Sequence, residues 1–290
     1  MPRAVALLIL LLASGASAQS DLDTFMAEVL ARRDENWKKL QQYTLSEDET
    51  FRLTGPNGRR LYGFAREYDW FLREDGVFVR SPIRADGVAI GEEDRRRAED
   101  RWIREEQQRE ERAGQRRAEA DGGDAGLNDL VDPGNQPRFV SSAYFLKFKF
   151  EPGRYALVGR EQLLGREVLR IEYYPQRLFG DDKARGAGEV RMNRAMNKVS
   201  LVTLWVEPAE RQILQYDFRN IDFDFLPGRS LARMDDISAT MRMGQPFPGV
   251  WLPDRIDMRF AMTLAMGTFD ARYDVRYRDH KEAVTGARIR

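Results

Sequence analysis

Apolar residues recur first at helical spacing and then, for most of the chain, at every second position. Leu22, Phe25, Met26, Val29, Leu30, Trp37 and Leu40 share one face of a 3.6-residue repeat, Ser20 is placed as an N-cap, and Asp23 follows three residues on. This predicts one amphipathic helix over about residues 21–41. The period then becomes 2. Tyr43, Leu45, Phe51 and Leu53 alternate with polar residues up to the turn Gly55-Pro56-Asn57-Gly58, and Tyr62, Phe64, Tyr68, Trp70 and Leu72 alternate after it. Glu74-Asp75-Gly76 turns the chain into Val77, Phe78 and Val79.

The clearest alternation lies near the C-terminus. Ile256, Met258, Phe260, Met262, Leu264 and Met266 occupy six successive same-face positions, Gly267-Thr268 reverses the chain, and Phe269, Ala271, Tyr273, Val275 and Tyr277 alternate with charged residues. Two such runs make an antiparallel hairpin with one apolar face. Ile237, Ala239, Met241 and Met243 form a similar run before it. Between 211 and 225 the phase slips, because Leu214, Tyr216 and Phe218 are even while Ile221, Phe223 and Phe225 are odd. A bulge or bend near Arg219 and Asn220 keeps both sets on one face. With the stretches near 139–150, 154–160, 167–174 and 199–206, about ten strands are expected in a largely antiparallel meander.

Two insertions break the meander. Residues 92–119 hold 19 charged residues in 28, with signs mixed at helical spacing, which predicts a solvated helix anchored only by Trp102 and Ile103. It reads as a solvated insertion or as a partner-binding arm. The Gly- and Asp-rich segment 121–137 reads as a linker, and 175–198 as a loop with a short helix.

The first 20 residues, MPRAVALLILLLASGASAQS, change the expected compartment. Arg3, ten apolar residues from Ala4 to Ala13 and the small-residue site Ala16-Ser17-Ala18 are laid out as a secretory signal, with cleavage expected after Ala18. Ten apolar residues fall short of the roughly 20 that span a bilayer. The expected product is a soluble periplasmic monomer, a single domain over 19–290 with insertions at about 92–137 and 175–198.

Composition narrows the chemistry. With no Cys there is no disulfide framework, thiol nucleophile or iron–sulfur site, and one His leaves no imidazole cluster for a metal. Forty-seven Lys and Arg against 47 Asp and Glu give no basic excess of the kind that nucleic-acid binding uses. No nucleophile elbow, phosphate loop or dinucleotide fingerprint is present, and the lone His280 reads as an exposed surface residue. Asp222 and Asp224 share a strand face as a metal pair would, yet they flank Phe223 and read more simply as solvating carboxylates; Asp235 and Asp236 point to opposite faces. No catalytic residue, metal site or cofactor is assigned, and the chain is expected not to be an enzyme.

The apolar strand faces exceed what one helix covers. About 20 residues of helix are ~30 Å long, against ten strands spanning ~48 Å. Either the sheet closes on itself or part of its face receives an apolar guest. Eight of ten Met lie between Met192 and Met266, either as gap fillers in a closed core or as the adaptable lining of a cavity. The candidate lining is Phe223, Phe225, Met241, Met243, Met258, Phe260, Met262 and Leu264.

Residues 201–216, LVTLWVEPAERQILQY, and 241–260, MRMGQPFPGVWLPDRIDMRF, resemble the strand-turn-strand segments of the LolA-like outer-membrane lipoprotein-sorting proteins. That resemblance implies a mainly β (α+β) fold, a curved antiparallel meander forming a half-closed β-barrel under an N-terminal amphipathic helix, here with the charged helical insertion. It also implies a non-enzymatic carrier or sensor binding acyl chains of lipid or lipoprotein in an apolar cavity. The alternative is a closed-core envelope interaction protein whose charged helix docks a protein partner. An outer-membrane barrel is disfavoured by the leading soluble-type helix, and no nucleic-acid partner is expected.

Overall fold

The computed structural model describes residue 19, residues 21–36, 39, 42–73, 77–119, 150–176, 190, 194, 200–220 and 232–283. The first helix, α1, covers 21–36 within the expected span; Trp37 and Leu40 lie outside the described residues. Strands β1 (Tyr43–Thr54) and β2 (Arg60–Leu72) flank the Pro56–Gly58 turn, where Asn57 and Gly58 both take positive φ. Strand β3 (Phe78–Ala85) and the two-residue β4 (Val88–Ala89) lead into α2 (Glu92–Glu119), whose bounds match the charged insertion. Then come β5 (Tyr155–Leu163), β6 (Arg166–Tyr173), β7 (Ser200–Glu207), β8 (Gln212–Asn220), β9 (Ala232–Phe247), β10 (Val250–Leu264) and β11 (Gly267–Glu282). The expected strand at 139–150 up to residue 149, the linker at 121–137 and nearly all of the 175–198 insertion lie outside the described residues.

The eleven strands form one antiparallel sheet in the order β4-β3-β2-β1-β11-β10-β9-β8-β7-β6-β5. Strands consecutive in sequence are adjacent in the sheet except β4 and β5, which lie at its two edges, and at the centre β1 pairs with β11 and joins the two halves of the chain. Among the described residues β4 and β5 do not pair, so the sheet is an open one rather than a closed barrel. The C-terminal hairpin forms as expected, with Met258 opposite Tyr273 and Phe260 opposite Ala271. Its reversal, however, is two residues earlier than Gly267-Thr268: Leu264 pairs with Gly267, so Ala265 and Met266 form a two-residue turn and Met266 leaves the strand. A bulge falls at Leu214, where the ladder passes from Val206–Ile213 to Trp205–Gln215, while Ile221, Phe223 and Phe225, whose phase the bend expected near Arg219 and Asn220 would reconcile, lie outside the described residues. This bulge buries both Ile213 and Leu214, and β8 then runs regularly to Asn220.

Directly opposed residues share a face. One row therefore runs across the inner face through Glu49, Val275, Ile256, Met241, Tyr216, Leu204 and Ile171. All but Glu49 are completely buried and form the centre of the core. Helix α1 closes the β5–β8 side of this core. Met26 and Val29 are fully buried, Asn36 donates a 2.6 Å hydrogen bond to Gln212, and Asp23 accepts from the Gly153 N–H. Helix α2 lies along β3 at the other side, with Trp102 donating to the Phe78 carbonyl at 3.0 Å and its ring edge-on to Trp70 at 5.3 Å. The outer face is charged. Like charges stand opposite each other, Arg259 by Arg272 and Asp257 by Asp274, and diagonal pairs resolve the repulsion: Arg255 bridges Asp257 and Asp274, and Asp270 accepts from Arg259 and Arg272.

Candidate ligand-binding face

The inner face changes character along the strands. Toward the Pro56–Gly58 and Ala265–Met266 turns, successive rows carry Phe64, Phe51, Tyr273 and Met258, then Tyr62, Leu53, Ala271, Phe260 and Ile237, then Phe269 and Met262. Tyr62 is exposed and the others are half-buried, in contrast to the sealed row through Ile256. The period-2 repeat of β10 is the reason: it places Met258, Phe260, Met262 and Leu264 on one side of one strand. Across β1 and β2 an aromatic group continues the stripe, with Phe51 stacked on Phe64 at 5.6 Å and Tyr62 edge-on to Phe64 at 6.2 Å. The half-buried stripe thus lies on β9, β10, β11, β1 and β2, between the strands that α1 and α2 pack against.

The candidate lining residues divide accordingly. Met258, Phe260, Met262 and Leu264 sit on the stripe, half-buried. Met241 and Met243 are placed in the sealed core, where Met241 lies between Ile256 and Tyr216. Phe223 and Phe225 lie outside the described residues, as do Asp222 and Asp224.

The inner face is not wholly apolar. Glu47 and Glu49 point inward between Leu45 and Phe51, at 2% and 8% exposure. Arg80 on β3 reaches both carboxylates, at 2.5 Å and 3.2 Å. Glu47 also accepts the Trp70 indole N–H at 2.6 Å, and Glu49 accepts the Tyr273 hydroxyl at 2.8 Å. The Arg80 guanidinium lies 3.4 Å from the centre of the Tyr68 ring. Burial pushes the Glu47 carboxyl above the ordinary range against the opposing pull of Arg80 and Trp70. Burial also works against the charge on Arg80, but Glu47, Tyr68 and Glu49 together outweigh it and raise its pKa. Every acceptor in the group that faces the core has a donor, which is the condition for holding such charges out of water.

Glu47 and Glu49 share the odd-numbered parity of Leu45 and Phe51, so their inward direction is a signal present in the sequence. His280 is half-buried rather than exposed; burial lowers its pKa, against the opposing pull of the Asp254 and Asp279 carboxylates and a hydrogen bond to the Pro253 backbone. Among the described residues no three His, Asp or Glu side chains group as a metal site, and no helix is long and apolar enough to cross a membrane.

No family model matches the chain, and no curated protein matches it by sequence. Among solved structures it is similar to a DUF1329 family protein from Desulfovibrio piger at 10% identity and a TM-score of 0.32, over 90% of this chain and 92% of that one. Lipovitellin is similar at 5% identity and a TM-score of 0.32, over 85% of this chain but 26% of its own. The MucA/MucB complex of Pseudomonas aeruginosa includes a chain similar at 11% identity and a TM-score of 0.19, over 89% of this chain and 98% of that one. At these scores the likenesses assign neither a family nor an activity, and the functional reading rests on the inner face itself.

Proposed function

We propose that the protein is an exported, non-enzymatic carrier or sensor that binds acyl chains, of lipid or lipoprotein, along the inner face of a curved half-barrel. One observation carries this reading: Met258, Phe260, Met262 and Leu264 form a half-buried apolar stripe with Phe51, Phe64 and Phe269 on a sheet that does not close. A strand rises ~3.4 Å per residue, so these four positions of β10 extend over ~20 Å, the length of a long acyl chain. Each buried CH₂ contributes ~0.8 kcal/mol, so a chain lying along the stripe gains on the order of 10 kcal/mol without any covalent step. The signal-like N-terminus supports action outside the cytoplasm, and α1 and α2 flank the stripe as walls.

Organic extraction and mass spectrometry of the purified protein, followed by titration of stripped protein with a fluorescent fatty-acid analogue, tests the proposal. Saturable binding is expected. Placing a carboxylate on the stripe with Met262→Asp removes contact with about four methylenes, a loss of ~3 kcal/mol or roughly a hundredfold in affinity. Absence of bound lipid together with absence of saturable binding overturns the reading.

A further inference from the structure

The end of the sheet onto which the stripe opens has a surface of its own. The Pro56–Gly58 turn and the Ala265–Met266 turn touch there: a Cβ on Gly267 would stand 2.6 Å from Pro56 Cγ. Three large apolar side chains protrude from this joint tip, Met266 at 72% exposure, Tyr62 at 55% and Leu61 at 47%. Between Thr50 and Arg66 the chain carries four Arg and no Asp or Glu. Arg52, Arg59, Arg60 and Arg66 are all exposed, and the first three have no ion-pair partner among the described residues. The carboxylate of Asp270, on the neighbouring hairpin, is already taken by Arg259 and Arg272. Elsewhere on the outer face several charges pair, as Arg255 does with Asp257 and Asp274 and Arg278 with Asp48, and the chain as a whole is neutral, so a run of four Arg without a carboxylate around an apolar tip is a local excess of positive charge.

We propose that this tip docks the protein on an anionic phospholipid surface, with Met266 and Leu61 entering the acyl boundary and Arg59 and Arg60 meeting the phosphates. Charge complementarity selects this occupant. An apolar tip alone fits a protein groove equally well, whereas a cluster of guanidinium groups with no acidic neighbour favours a surface of like, closely spaced negative charges. The placement also serves the carrier, and in that respect the inference rests on the proposed function: Tyr62, Leu53 and Phe51 lead from the tip directly onto the stripe, so a docked molecule presents the mouth of its ligand face to the bilayer.

Flotation of the protein, as processed by an exporting host, with vesicles of phosphatidylglycerol and phosphatidylcholine, against vesicles of phosphatidylcholine alone, tests this. Binding to the anionic vesicles is expected, weakening with salt as the Debye length shortens. Each Arg near an anionic surface is worth ~1 kcal/mol, so Arg59→Gln with Arg60→Gln is expected to weaken binding about 30-fold, and Met266→Ser with Leu61→Ser to abolish it. In solution, titration of all these variants with the fluorescent fatty-acid analogue should match the parent protein. Equal flotation of parent and variants, or failure of the parent to float, overturns the docking proposal. So does a parent that sediments as a dimer which the tip variants dissociate, since the tip is then a contact between copies. Tip-dependent flotation without fatty-acid binding in any protein instead sinks the carrier reading while leaving the docking surface in place.

Discussion

Replacing Trp102 by Ala isolates what holds the charged helix to the sheet. Trp102 is 6% exposed, its ring meets Trp70 edge-on at 5.3 Å, and its indole N–H satisfies the Phe78 carbonyl. Truncating a buried Trp costs ~3–5 kcal/mol, a range that includes the ~0.5–1.5 kcal/mol of the aromatic pair and ~1 kcal/mol for the carbonyl left without a donor. Against this loss α2 retains the half-buried Ile103 and the hydrogen bond from Ser81 to Glu99. Its own ion pairs, Glu92 with Arg96 and Glu93 with Arg97, are exposed and hold the helix together rather than holding it to the sheet. The expected outcome is therefore local: α2 detaches while the eleven-stranded sheet persists. In hydrogen-exchange mass spectrometry, amides over residues 92–105 should exchange at least a hundredfold faster in Trp102→Ala, with β7–β10 unchanged. Trp102→Phe keeps a ring beside Trp70 and loses the donor, so it should give a small fraction of that effect. Unaltered exchange over 92–105, or loss of protection spread evenly through the sheet, refutes the reasoning.

Three further substitutions probe the polar and backbone features of the fold. Glu47 binds its proton more tightly folded than unfolded, so its contribution to stability is fully present below its ordinary pKa of 4.5 and is lost as pH rises through the raised folded value. The stability of the parent relative to Glu47→Gln, from urea unfolding at several pH values, should therefore fall with rising pH in that window, and parallel curves would count against it. Asn36→Ala leaves Gln212 Oε1 without its buried donor and should cost ~1–3 kcal/mol in the same assay; a neutral result would mean that water replaces the amide. Gly267→Ala sets a methyl against Pro56 at a φ of +123°, so ~1–3 kcal/mol of destabilisation is expected by thermal unfolding, and an unchanged Tm would show that the two turns separate freely.

The parts of the fold legible from residue order are those whose signal is local. Met258, Phe260 and Met262 announce β10 because one inward face imposes a period of 2, and Trp102 and Ile103 are visible as the only large apolar residues in the first turns of a charged helix. The pairing of β1 with β11 has no such signal. Tyr273 and Glu49 are 224 residues apart, and antiparallel partners this distant are chosen by the completed sheet. The fate of Met241 and Met243 was likewise hidden. They share the parity of Ile237 and Ala239, so the alternation alone does not separate the sealed rows from the half-buried rows of the same face. Glu47 and Glu49 show the opposite case. Their inward direction follows from parity, but their neutralisation depends on Arg80, which arrives from β3, two strands away. Met266 was misplaced for a local reason: a two-residue turn at Ala265–Met266 takes it out of the alternation that the sequence continues through it.

The most direct test of acyl-chain binding is photo-crosslinking of the stripped protein with a fatty acid carrying a diazirine on its chain, mapped by peptide mass spectrometry. Crosslinks within residues 256–264 and at Phe51 or Phe64, competed by unlabelled fatty acid, are the predicted result; labelling confined to the charged outer face, or none that competes, would contradict it.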